Sequence, residues 1–103
     1  MLKWLKDYFV GESIQDPDHI REKLDQGKLV PGIFLITLSH NPHNILEILP
    51  AVMLFQKSLY RICPEIIGMA RGEDEALELI RSIVETVYKD TGDVLVKEYL
   101  KSR

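Results

Sequence analysis

EIIGMARGEDEALELIRSIVETVYKDTG, residues 65–92, reads as a short strand, a tight turn and a long helix. Glu65-Ile66-Ile67-Gly68-Met69-Ala70 is apolar and β-competent, and Arg71-Gly72 supplies the turn. From Glu73 to Asp90 the apolar residues Ala76, Leu77, Ile80, Ile83, Val84, Val87 and Tyr88 recur at spacings that place them on one helix face. Glu73, Asp74 and Glu75 fill the first turn and Lys89 the last, which complements the helix macrodipole. Gly92 stands where a left-handed residue closes a helix.

Upstream, Leu29-Val30-Pro31-Gly32-Ile33-Phe34-Leu35-Ile36-Thr37-Leu38 turns continuously apolar at Ile33, the pattern of a strand buried on both faces. Pro31 cannot donate to a ladder, so the strand is expected to begin at Gly32 or Ile33. Ser39-His40-Asn41-Pro42-His43-Asn44 is a dense turn signal. The next run, Ile45 to Phe55, is interrupted only by Glu47 and Pro50 and reads as a helix that is hydrophobic almost all round, kinked near Leu49 by Pro50. Leu59 to Cys63 reads as an approach segment or a bent edge strand.

Strand, helix and strand in that order make a βαβ unit, with parallel strands and a right-handed crossover. The expected class is therefore α/β (or α+β): a small single domain with a short, mainly parallel sheet built on that unit and flanked by helices. Two parallel strands are too few to stand alone. Either residues 59–63 or 94–96 add a strand, or a second copy of the chain extends the sheet or covers the apolar run.

At the front of the chain, Leu2, Leu5 and Phe9 can share a helix face with Trp4 and Tyr8 beside them. This reads as a terminal helix docked on the core. Attachment to a membrane surface is the alternative, weakened by having only Lys3 and Lys6 as basic anchors. Asp16-Pro17 begins a second helix, with Asp16 as N-cap, Ile20 and Leu24 inward and Gly27 as terminator. Residues 94–100 suit a short helix, although Val94-Leu95-Val96 also suits a strand.

Size and composition narrow the function classes. A chain of 103 residues, 46% hydrophobic and 28% charged, is an ordinary globular domain. A net charge of −3 without a Lys/Arg stripe argues against nucleic acid as partner. A lone Cys63 cannot form an internal disulfide and fits a reducing compartment, and no stretch approaches the roughly 20 apolar residues of a transmembrane span. The cytoplasm is the expected location.

In a parallel sheet the strand carboxyl ends are where ligands bind, so Ser39, His40, Asn41, His43 and Arg71 are the candidate ligand-binding residues, suited to a small anion. Their competing role is turn and cap geometry, and the acidic Glu73-Asp74-Glu75 opening the adjacent helix disfavours an anion. Two histidines are too few for a metal site, Cys63 before Pro64 lacks an activating environment, and no catalytic set or cofactor motif is present in the sequence. The reading that follows is a non-enzymatic interaction module acting as a homodimer or docking on another protein, through Ile45, Ile48, Leu49, Val52 and Phe55. A small-molecule or anion-binding domain is the second reading.

Overall fold

The computed structural model of the chain describes residues 2–39 and 46–92. In chain order the elements are β1 (Trp4–Val10), α1 (Pro17–Asp25), β2 (Ile33–Leu38), β3 (Leu46–Pro50), a 3-10 helix (Ala51–Phe55), α2 (Lys57–Ile62), β4 (Ile66–Arg71) and α3 (Glu73–Thr91). One sheet joins the strands in the order β1-β4-β2-β3. β1 runs parallel to β4, whereas β4–β2 and β2–β3 are antiparallel. The fold is α+β, with a mixed sheet rather than a mainly parallel one.

Four expected elements stand as read. Pro17 occupies the start of α1 behind Asp16, whose side chain accepts from the His19 N–H. β2 begins at Ile33, and Ile33, Leu35, Ile36 and Thr37 are buried between helical layers on both faces. β4 and α3 follow the strand–turn–helix reading, with Gly72 at φ +85° in the turn and Gly92 in the left-handed region at the C-cap.

Four expectations are overturned. Residues 4–10 form a strand, not a terminal helix: β1 pairs Trp4 with Ile66, then Phe9 with Gly68 and Val10 with Met69. The irregularity between Trp4 and Phe9 breaks the two-residue alternation, leaving Lys6 and Asp7 exposed together and giving the segment a helix-like spacing. Residues 46–55 are not a kinked helix but a strand followed by a 3-10 turn, with Pro50 at the junction. Residues 57–62 form helix α2, so of the two readings of residues 59–63, approach segment or bent edge strand, the strand is excluded. Because β3 pairs with β2, the chain leaves β2, returns alongside it and enters β4 from the opposite end, so no βαβ crossover exists between β2 and β4.

Both sheet faces are covered. On one, α1, α2 and the 3-10 helix enclose Leu2, Ile14, Ile20, Leu24, Ile33, Leu35, Ala51, Leu54, Ile66 and Met69. On the other, α3 packs Ile83 and Val87 against Leu5, Ile36 and Ile67. A bulge in β4 lets both faces be served: Ile36 pairs with Gly68 and Thr37 with Ile66, so Ile67 is the extra residue. Gly68 lies under Leu79, where a Cβ would stand 3.2 Å from the Phe9 carbonyl oxygen and 3.3 Å from Leu79 Cδ2.

The α3 face is narrower than its periodicity implies. Leu77 and Tyr88 keep 53% and 60% of their surface exposed, because they lie on the flank of the apolar stripe, about 100° from the Ala76–Val87 line. Leu79 occupies the other flank, above Gly68 in β4. Leu77 and Tyr88 therefore look towards the β3 side of the sheet.

The backbone also reveals which way the β3 amides face. Leu38 N–H donates to the Glu65 carbonyl and Gly72 N–H to the Gly32 carbonyl, so even-numbered residues of β2 bond towards β4. Thr37 and Leu35 must then bond towards β3, where they stand opposite Glu47 and Leu49. Leu46, Ile48 and Pro50 consequently direct their backbone groups outward. Pro50, opposite Phe34, forfeits no bond to β2, which explains how a proline ends this strand without breaking it.

Candidate functional site

The parallel pair β1–β4 creates one place where strand carboxyl ends and a helix start converge, and Glu75 occupies it. Its Oε1 accepts from the Ser13 N–H at 2.7 Å, while Oε2 accepts from the Ser13 hydroxyl at 2.7 Å and from the Arg71 N–H at 2.6 Å. Arg71 is the β4 residue whose amide would meet β1 if β1 ran further. Instead β1 leaves after Gly11, whose N–H donates to the Met69 carbonyl. The carboxylate thus continues the ladder past its last strand bond. Gly11 makes room for it: a Cβ there would sit 2.6 Å from Glu75 Cδ.

Burial raises the Glu75 pKa, but the bonds from Ser13 and Arg71, with the Arg71 charge, outweigh it and hold the carboxyl below its usual range. The cleft beside it, about 500 Å³, is lined by Val10, Gly11, Glu12, Asp74, Glu78, Leu79 and Ser82 as well as Glu75. So acidic a wall opposes an anion. Among the described residues no cluster of His, Cys, Asp and Glu could hold a metal.

The sequence-derived ligand residues do not converge on that cleft. Ser39 is buried and donates its hydroxyl to Glu47 Oε1 at 2.8 Å. Arg71 is exposed and stands opposite Ile33, at the far end of β2 from Ser39. The shared loop edge assumed for a parallel arrangement is absent because β2 and β4 are antiparallel. His40, Asn41 and His43 lie outside the described residues.

The interface residues fare differently. Ile45 lies outside the described residues, Ile48 and Leu49 are half-buried, and Val52 and Phe55 are exposed. In the 3-10 helix the three-residue period turns Ala51 and Leu54 into the core and leaves Val52, Met53 and Phe55 outside, Phe55 by 67%. Ile62 of α2 is exposed as well. Sequence reading missed Met53, which the 3-10 period exposes beside Val52, while Ile62 is exposed on α2 and Leu77 and Tyr88 on the flank of α3.

Two further groups have structural roles. Asp25, at the end of α1, accepts from the Trp4 indole N–H at 2.8 Å, lies 3.8 Å from Arg21 Nε, and its carbonyl accepts from the Tyr60 hydroxyl at 2.6 Å. The Arg21 guanidinium rests 5.2 Å from the Trp4 ring and 5.6 Å from Tyr8. These contacts fasten α1 to β1 and α2, and they tie Trp4 to the protein rather than to a membrane-facing helix. Cys63 is half-buried, and burial pushes its thiol pKa up, opposite to what a nucleophile needs. Among the described residues no helix is long and apolar enough to cross a membrane.

Comparison of the chain with protein-family models, with curated proteins and with solved structures finds no match.

Proposed function

We propose that this chain is a non-enzymatic interaction module that works as a homodimer, docking through β3 and the 3-10 helix that follows it. The observation that carries this reading is the exposure of Val52, Met53 and Phe55 beside a strand at the sheet edge. Apolar side chains clustered in this way mark interaction surfaces, whereas scattered ones do not. The chemistry of the β1–β4 end supports the non-enzymatic part: its one depressed carboxylate is consumed by backbone and hydroxyl donors of the same chain. Replacing Val52 and Phe55 together by Glu tests the proposal. The expected product is a folded monomer, with the circular dichroism of the parent and half its mass by light scattering. A variant that keeps the parent's dimeric mass would overturn it.

A further inference from the structure

Resting on the homodimer reading, we infer that the second copy docks edge to edge on β3, antiparallel, about a two-fold axis through Ile48. Among the described residues the sheet has two edge strands, and they are protected differently. β1 carries exposed Lys6 and Asp7 and a strong irregularity, with exposed Lys3 just before it, the devices that keep an edge from pairing. β3 is regular over its pairing with β2 and carries Glu47 as its one charge. Its outward groups belong to Leu46, Ile48 and Pro50, as the β2 bonding parity requires.

Charge and donors then select the register. With Ile48 opposite its own copy, the two residues exchange both backbone bonds, and each Leu46 N–H donates to the Pro50 carbonyl across the seam. The missing Pro50 N–H is tolerated, and Glu47 faces Leu49. Centring the axis on Glu47 offers as many bonds but sets two carboxylates directly opposite each other, which is destabilising. Shape agrees with this choice. A five-residue strand alone does not reach the roughly 800 Å² per partner of a stable interface. The apolar residues to either side supply the remainder: Val52 and Met53 directly after β3 on the α2 face, and Leu77 and Tyr88 on the flank of α3 turned away from β1. The surplus apolar surface lies to both sides of an edge that is unpaired among the described residues, which suits a continuous sheet shared by two copies.

Cysteine cross-linking in the full chain with Cys63→Ser tests the register. Across an Ile48-centred seam the Cα atoms at position 48 are about 5.5 Å apart, within the range of about 4.4–6.8 Å that a disulfide accepts. The Cα atoms at position 47 are diagonal neighbours about 7–8 Å apart. Ile48→Cys should give a covalent dimer on mild oxidation, and Glu47→Cys should not. Amide exchange on the unmodified chain provides a reading free of any folding defect. The Ile48 N–H should slow as concentration rises, while the Glu47 and Leu49 N–H groups, already bonded to β2, hold steady. A dimeric mass with fast, concentration-independent Ile48 exchange would overturn the edge seam and leave the homodimer standing. Cross-linking at 47 but not 48 would overturn the register. A monomer at every concentration would overturn both.

Discussion

Gly11→Ala is the substitution whose consequence the structure specifies most closely. The new methyl would overlap the Glu75 carboxyl, at 2.6 Å from Cδ and 2.7 Å from Oε1. Glu75 is a flexible side chain, so it yields rather than the backbone. In yielding it abandons the Ser13 N–H, the Ser13 hydroxyl and the Arg71 N–H. Bonds to an ionised acceptor contribute about 1.5–3 kcal/mol each when desolvated. These are exposed and water replaces them in part, so the expected total is about 1–2 kcal/mol. For a domain of this size that lowers the melting temperature by about 4–16 °C.

The distinguishing measurement is a double-mutant cycle in urea. Gly11→Ala should cost its full amount in the parent and close to nothing in a Glu75→Ala background, because the methyl then has nothing to displace. Additive losses would refute the account of Gly11. The cycle also has a pH signature. The folded-state pKa of Glu75 is depressed, so its contribution is complete above the unfolded-state value and disappears as pH falls through the folded one. The difference between parent and Glu75→Gln should therefore shrink on acidification through the carboxylate range.

Gly68→Ala sets a methyl against the Phe9 carbonyl oxygen, which is backbone, and against Leu79, so it should destabilise by about 1–3 kcal/mol and show as a lower urea midpoint at an unchanged slope. The burial that raises the Cys63 pKa predicts that its thiol reacts with a disulfide reagent at mildly alkaline pH more slowly than free cysteine does, and reaches the free rate only in denaturant.

The legible half of the fold lies in elements whose signals are local. α1 announces itself by Asp16-Pro17 and ends just before Gly27, which adopts φ +75°. α3 follows from its stripe and from Gly92. β2 follows from an uninterrupted run buried on both faces. The illegible half depends on pairing. Nothing local separates LEILP from the start of a helix; it is a strand because Leu35 and Thr37 offer it a bonding edge. Once β3 is missed, the β2–β4 link looks like a crossover and the sheet looks parallel, which is why Ser39 and Arg71 were expected together and stand at opposite ends.

The same distinction governs the candidate surfaces. Val52 and Phe55 belonged to an apolar run too long to bury in one small chain, and that surplus was visible without knowing its geometry. Glu75 resembled any first-turn acid suited to the helix dipole. Its partner Ser13 lies 62 residues away and leaves no pattern near Glu75 to read. Leu77 and Tyr88 matched the stripe by period yet fall on its exposed flank.

The proposed homodimer requires the apolar surface around β3 to close on a second copy of the chain. Light scattering on a sizing column, at two well-separated concentrations, reads it directly. A mass twice the 11.9 kDa of the single chain is expected at both, or a shift towards that value as concentration rises. A monodisperse species at the single-chain mass at both would contradict it.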